Sequence, residues 1–127
     1  KDFDIAVLSD VIEHVNAPVI AIENIMKHLI DDGLLLITTP NASAFSIFLR
    51  TLIRKNISVH WDHMTTYYPE HFQAICNRLN LKIEKVYLFD HIDKRTKLNF
   101  FKSIVFVALS TFFPRFSSSM LVIISKK

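Results

Sequence analysis

Two short apolar runs rich in β-branched and aliphatic residues most constrain the fold of this chain. Residues 3–8 (FDIAVL) and 34–39 (LLLITT) are typical of strands buried on both faces of a parallel sheet. Between them, four apolar residues repeat at the spacing of one helical face: Ile22, Ile25, Met26 and Leu29. This strand–helix–strand order predicts a right-handed parallel crossover, and hence an α/β domain.

Local signals predict where the first helices begin and end. Asn16 is predicted to cap the first helix, Pro18 to lie in its first turn, and Gly33 to end it in the left-handed conformation. Asn41 is predicted to cap a second helix. The polar and aromatic residues 56–68 that follow this helix predict a loop.

The second half of the chain predicts two further helices and two strands. Pro69 begins a helix that ends at Asn80 in the left-handed conformation, and residues 81–89 alternate as a strand. Residues 98–113 form a strongly apolar helical segment. Residues 120–124 form the last strand.

Composition limits the class of protein. The 127 residues are 50% hydrophobic and 21% charged, which excludes disorder and fits one domain. The net charge of +3 is too diffuse to indicate a nucleic-acid partner. Cys76 is the single cysteine, so no internal disulfide can form, and a reducing, cytoplasmic location is expected.

The glycine content is unusual for a nucleotide-binding α/β domain. Such domains have several glycines in their first turn, whereas Gly33 is the single glycine here. The chain also starts at Lys1, almost inside its first strand. These features predict a fragment that lacks its N-terminal part, and the alternative is a complete small domain that has been processed.

The segment FDIAVLSDVIEHVNAPVIAIENIMKHLIDDGLLLITTPN closely resembles the second half of class I S-adenosylmethionine-dependent methyltransferases. The matching positions are a strand aspartate, an acid–histidine pair, a turn and a closing Pro-Asn: Asp4, Glu13-His14-Val15, Asp32-Gly33 and Pro40-Asn41. Asp-Gly stands where this family usually has two glycines.

The segment HWDHMTTYYPEHFQAICNRLNLKIEKV resembles the next part of the same family, a histidine-containing loop, a helix and a strand. Asn80-Leu81 replaces the usual Gly-Phe, and Tyr68 replaces a Ser or Thr cap. We therefore expect one partial methyltransferase domain over 1–127. Its core strands, helices and acceptor loop would lie in 1–90, and its C-terminal helix and last strand in 91–127, which match by pattern only.

The resemblance implies a Rossmann-like sheet of seven strands with an antiparallel last strand and helices on both faces. This chain would supply the C-terminal half of that sheet, without the Gly-rich half. The implied cofactor is S-adenosylmethionine. Because open sheets bind ligands at the carboxyl ends of their strands, Ser9, Asp10 and Val11 are the candidates to contact its methionine end.

The spacing of Asp10, Glu13 and His14 places them on one face if they lie in a helical turn. Two carboxylates and an imidazole would form a partial shell for a hard divalent cation such as Mg²⁺. Some metal-dependent O-methyltransferases similarly carry an acid-x-x-Glu-His motif, and the resemblance implies a further ligand from a later loop. His63, or otherwise His60, is the candidate here.

Two other interpretations of the Glu-His pair stay open. In the first, His14 is a hydrogen-bonded structural residue near the cofactor and Glu13 anchors a loop or caps a turn. In the second, His14 acts directly as the catalytic general base.

The loop that contains His60, Trp61 and His63 is expected to line the acceptor pocket, because the resemblance places the acceptor loop there. The alternative is that Trp61 packs the loop onto the sheet while the two histidines are solvated.

Two segments predict interactions of other kinds. The 98–113 helix is expected to cover the sheet or close the acceptor site, or else to bind a lipid-like acceptor or make peripheral contact with a membrane. Strand 3–8 would be an exposed edge without the missing half of the sheet, so we expect a homodimer that pairs through it.

These features together predict a fragment of a methyltransferase whose intact form methylates a small-molecule or lipid-like acceptor. The isolated chain is expected to be inactive. The alternative is a non-catalytic α/β interaction module that pairs with another chain, and the absent glycine loop favours it for the isolated chain.

Overall fold

The computed structural model describes residues 2–53, 62–92 and 94–127. In these residues one sheet is formed by four strands: β1 (Phe3–Ser9), β2 (Leu29–Pro40), β3 (Leu81–Phe89) and β4 (Ser119–Lys126). The helices are α1 (Pro18–Lys27), α2 (Phe45–Ile53), α3 (Pro69–Leu79) and α4 (Lys97–Phe112). Short 3₁₀ turns lie at Ile12–His14 and Pro114–Phe116.

The sheet is mixed and has the strand order β1-β2-β4-β3. β1 and β2 are parallel, and β4 is antiparallel to both of its neighbours. The predicted α/β fold with an antiparallel last strand is therefore confirmed. β1, β2 and β3 all end at the same side of the sheet, because β2 and β3 each run opposite to β4. We call this side the carboxyl end of the sheet.

The core lies on one face of the sheet, under α1 and α3. β2 shows why, because its residues alternate between fully buried and half-buried side chains. Leu35 and Ile37 are fully buried, and they pack with Ile22 of α1 and Phe72 of α3. Burial of this apolar set supplies the main driving force for the fold.

β1 differs from the expectation of a strand buried on both faces. Ala6 and Leu8 pack against the core, but Phe3, Ile5 and Val7 on the opposite face are exposed. β1 is also the outermost strand of the four, so one side of its backbone has no partner strand within the described residues.

The roles predicted for Asn16 and Gly33 are wrong. α1 begins at Pro18 after Ala17, and no side-chain hydrogen bond caps it. Gly33 lies buried inside β2 and has no positive φ angle. A Cβ atom at Gly33 would lie 3.0 Å from the Ile30 carbonyl oxygen and 3.2 Å from that of Phe3, so this glycine permits close packing of the backbone.

Asn41 does not cap α2, which begins four residues later at Phe45. Its side chain is fully buried, and its Nδ2 donates to the carbonyl oxygens of Arg115 (2.9 Å) and Ser117 (2.8 Å). Asn41 Oδ1 accepts from the Ser43 amide at 3.0 Å. This residue thus ties the end of β2 to the segment that leads into β4.

α3 matches its prediction. It starts at Pro69, and Asn80 ends it with φ 55° and ψ 41°, which is the left-handed conformation. Cys76 lies on its apolar stripe and is fully buried, as expected of a core residue.

α4 departs from the prediction of a helix that covers the sheet. Its two buried residues are Ser103 and Ser110, whereas most of its large apolar side chains are exposed. Thr96 caps its first turn by accepting from the Asn99 amide at 3.1 Å. Among the described helices, none is both long enough and apolar enough to cross a bilayer.

Candidate functional site

The segment Ser9–Val11 leaves β1 at the carboxyl end of the sheet. The Asp10 amide donates to the Thr38 carbonyl at 3.0 Å, and the chain then turns because Asp10 adopts a φ of 50°. Aspartate tolerates this conformation better than most residues that carry a Cβ. Ser9 Oγ accepts from Thr38 Oγ1 at 3.1 Å, and the side chains of Asp10 and Val11 are exposed. The candidates for cofactor contact thus lie where an open sheet binds ligands.

Glu13 is buried in the 3₁₀ turn that follows. Its residue exposure is 1%, beside the fully buried Ile12. Thr39 Oγ1 of β2 donates to Glu13 Oε2 at 2.9 Å. A carboxylate removed from water needs hydrogen bonds to offset its lost solvation, and Thr39 provides one of them.

Glu13 also holds the loop after residue 61 through its backbone. Its carbonyl oxygen accepts from the amides of Met64 (2.8 Å) and Thr65 (3.2 Å). Tyr67 of the same loop donates its hydroxyl to the Ile12 carbonyl at 3.4 Å and packs against Phe72. Burial raises the pKa of the Tyr67 hydroxyl, and the nearby Glu13 charge raises it further. The contacts of Glu13 are those of a loop anchor.

His14 is oriented by Asp62. Its Nδ1 lies 3.0 Å from the Asp62 carbonyl oxygen, which can only accept, so Nδ1 carries the proton. The Asp62 carboxylate lies 3.5 Å from the same nitrogen. In the neutral ring this leaves the lone pair on Nε2, the form that a metal ligand or a general base requires.

His63 completes a cluster with Glu13 and His14. The rings of His14 and His63 meet edge to face, with centroids 4.8 Å apart. One ligand atom from each of Glu13, His14 and His63 lies within 4.8 Å of the other two. We call these three residues the Glu13 cluster. A cation placed between them would meet one carboxylate and two imidazoles.

The structure brings together some of the predicted site residues and separates others. Glu13, His14 and His63 form one cluster, but Asp10 is not a member of it. His60 and Trp61, the other predicted acceptor-site residues, lie outside the described residues.

Sequence reasoning missed Thr39 and Asp62. The alternation of β2 carried a signal for Thr39, because it shares a strand face with Leu35 and Ile37 and must therefore be buried. Asp62 is separated from His14 by 48 residues in the sequence, so no local pattern predicts their contact.

Comparison with known proteins agrees with the fold described above. A family model for a methyltransferase domain matches residues 1–86. The chain therefore belongs to this family of methyltransferase domains. No curated protein matches the chain.

Solved structures show the same fold at low sequence identity. A SAM-dependent methyltransferase from Archaeoglobus fulgidus superposes with a TM-score of 0.65 at 14% identity, covering 99% of this chain and 60% of that one. A small RNA methyltransferase superposes with a TM-score of 0.58 at 17% identity, and the match covers 99% of this chain and 14% of that one. The magnesium protoporphyrin IX methyltransferase from Synechocystis, with bound SAH, superposes with a TM-score of 0.62 at 10% identity. That match covers 99% of this chain and 46% of the other. The chain thus spans less than two thirds of each of these proteins.

Proposed function

We propose that this chain forms the acceptor side of an S-adenosylmethionine-dependent methyltransferase, which methylates a small-molecule or lipid-like acceptor. The observation that carries the proposal is the position of two groups at one end of the sheet. The exposed Ser9–Val11 segment and the Glu13 cluster both follow the carboxyl end of β1. The proposal is also supported by the similar structures, which include a SAM-dependent methyltransferase and a methyltransferase with bound SAH.

The local geometry suggests a separate role for each group of residues. Ser9 to Val11 would contact the methionine end of the cofactor, whose sulfonium supplies an electrophilic methyl group. His14 would accept the proton of the attacking acceptor, because Asp62 holds its Nδ1 proton and leaves Nε2 basic. Holding the acceptor in line with the methyl group would supply most of the rate enhancement.

A metal-assisted version of this function is supported by the Glu13 cluster. The donor set is one carboxylate and two histidines, which suits transition-metal ions better than Mg²⁺, a cation that prefers oxygen ligands. Asp62 would hold His14 as the hydrogen-bonding partner that metal-bound histidines usually have. We therefore propose Mn²⁺ or Zn²⁺ in preference to the Mg²⁺ that the sequence suggested.

Calorimetric titration of the chain with S-adenosylhomocysteine tests the cofactor proposal. We propose that the isolated chain is inactive and binds the cofactor product only weakly. The titration is repeated with Asp10→Ala, which is expected to abolish residual binding, and with Asp32→Ala as an exposed control outside the site. Residual binding that survives Asp10→Ala would contradict the placement of the cofactor at Ser9–Val11.

Titration with Mn²⁺, Zn²⁺ and Mg²⁺ tests the metal version separately. His14→Gln and His63→Gln are each expected to lower the affinity for Mn²⁺ or Zn²⁺ about 10-fold or more. His28→Gln, an exposed histidine at the end of α1, is the matched control. Equal affinity in His14→Gln and His28→Gln would exclude the metal and leave His14 as a base or a structural residue.

A further inference from the structure

α4 turns its polar side towards the protein. Ser110 donates its hydroxyl to the Asp90 carboxylate, and Asp90 also accepts from the Ser118 amide at 2.8 Å. Ser103 lies seven residues, or about two helical turns, before Ser110. It is also buried, and its hydroxyl donates to the Asn99 carbonyl at 2.9 Å. These contacts fix which side of the helix faces the domain.

The opposite side of α4 is apolar and exposed. At 3.6 residues per turn, five exposed residues fall along this side: Leu98, Phe101, Val105, Ala108 and Phe112. We call them the α4 outer face. Phe101 is 67% exposed and Phe112 is 80% exposed. A contiguous apolar strip of this kind indicates an interaction surface, because leaving it in water forfeits the gain of burial.

The outer face continues beyond the end of α4. Phe113 is also exposed, and its ring lies 6.3 Å from that of Phe45 at the start of α2. Further along α2, Leu52 and Ile53 are among the most exposed apolar side chains of the described residues. Phe113 therefore extends the exposed apolar surface past the last turn of α4, and α2 carries exposed apolar side chains of its own.

The charge around the outer face favours an anionic partner. Residues 94–113 contain four basic residues and no acidic residue, Lys94, Arg95, Lys97 and Lys102, whereas Arg115 further on is paired with Glu70. Lys94, Lys97 and Lys102 are exposed. A helix with one apolar side and basic flanks matches the boundary between acyl chains and anionic headgroups.

We propose that α4 docks on an anionic lipid bilayer, with its outer face inserted at the headgroup boundary. The helix would lie in the plane of the membrane, since its 16 residues span only about 24 Å. α4 connects the end of β3 to the start of β4, which places it at the carboxyl end of the sheet. The docked surface and the Glu13 cluster would thus both lie at the carboxyl end of the sheet. The proposal does not depend on methyl transfer.

Co-sedimentation with vesicles tests the docking of the 127-residue chain. The chain is mixed with vesicles of phosphatidylcholine alone, or of phosphatidylcholine with phosphatidylglycerol. We expect binding to the anionic vesicles that weakens at high salt, because screening removes the contribution of the lysines. This comparison needs no variant, so it does not depend on how a substitution folds.

Two pairs of substitutions assign the binding to α4. Phe101→Ser with Phe112→Ser is expected to lower vesicle affinity about 100-fold, and Lys97→Gln with Lys102→Gln about 25-fold. The matched control is Ile20→Ser with Lys27→Gln, since Ile20 is 58% exposed on α1. Circular dichroism establishes that each variant keeps its helical content.

Three outcomes would overturn the proposal. The first is no binding to anionic vesicles, and the second is equal loss of binding in the α4 and α1 variants. The third is self-association in sedimentation velocity that the two phenylalanine substitutions abolish without any vesicle binding. That last result would assign the outer face to a second copy of the chain.

Discussion

Replacing Thr39 by valine tests the claim that Glu13 is held as a buried carboxylate. The two side chains have nearly the same shape, so the substitution removes the 2.9 Å hydrogen bond without creating a cavity. A hydrogen bond to a charged group contributes about 1.5–3 kcal/mol, and its loss leaves Glu13 without that partner. We expect the free energy of unfolding to fall by about 2 kcal/mol.

Urea denaturation measures this loss. With a slope of about 2 kcal/mol/M, the midpoint of Thr39→Val should fall by about 1 M. Thr38→Val is the matched control, because Thr38 is half-buried on the opposite face of β2 and its side-chain hydroxyl donates to the exposed Ser9 hydroxyl. Its midpoint should fall by less than half as much.

Hydrogen exchange adds a local test of the same contact. The Met64 and Thr65 amides donate to the Glu13 carbonyl, so both should exchange faster in Thr39→Val than in Thr38→Val. Equal unfolding midpoints in the two variants, with unchanged exchange at these amides, would refute the reasoning. Other groups would then satisfy the Glu13 carboxyl group.

Three further predictions concern other parts of the molecule. Burial raises the pKa of the Cys76 thiol to about 11 from 9.0, so wild-type stability should hold below pH 9 and fall by about 3 kcal/mol towards pH 11. Urea unfolding of Cys76→Ala should show a decline that is smaller by about this amount, since Tyr67, whose pKa is also raised, still ionises; an equally steep decline would contradict the reasoning. Gly33→Ala should lower the free energy of unfolding by about 1–3 kcal/mol in thermal denaturation, because its Cβ atom would lie 3.0 Å from the Ile30 carbonyl oxygen. An unchanged melting midpoint would contradict this, since it would mean that the backbone of β2 shifts to accommodate the Cβ atom at no cost in stability. If the chain dimerises through β1, Ile5→Lys should give a monomer in light scattering, while Ile20→Lys should not, and a wild-type monomer at high concentration would contradict the dimer.

The parts of the fold that local signals govern could be predicted from the sequence. The crossover from β1 to β2, the start of α3 at Pro69 and its exit at Asn80 depend on apolar periodicity and on backbone preferences of single residues. These signals act within a few residues, and the structure confirms them.

The errors fall where distant contacts outweigh local preference. Gly33 was expected to end a helix, but the approach of the Phe3 and Ile30 carbonyls explains its lack of a side chain. Asn41 was expected to cap α2, but its amide instead satisfies two carbonyls more than 70 residues away. The carbonyls of Phe3, Arg115 and Ser117 lie too far along the chain to be visible in a local pattern.

Only part of the candidate site could be predicted, because local spacing is visible in the sequence whereas contacts between distant residues are not. The spacing of Asp10, Glu13 and His14 indicated a cluster near the end of β1, to which Glu13 and His14 belong and Asp10 does not, and the resemblance added His63. The burial of Glu13 by Thr39 and the orientation of His14 by Asp62 depend on the sheet register and the loop path, which only the structure provides.

The position of β4 has a consequence for the order in which the chain can fold. β3 pairs only with β4 among the described strands, and β4 follows β3 by about 30 residues along the chain. β1 and β2 can pair early through their crossover, but β3 must wait until the C-terminal strand inserts between it and β2. During synthesis β3 would therefore remain unpaired until residues 119–126 have left the ribosome, and the pairing of β4 then joins β3 to the rest of the sheet.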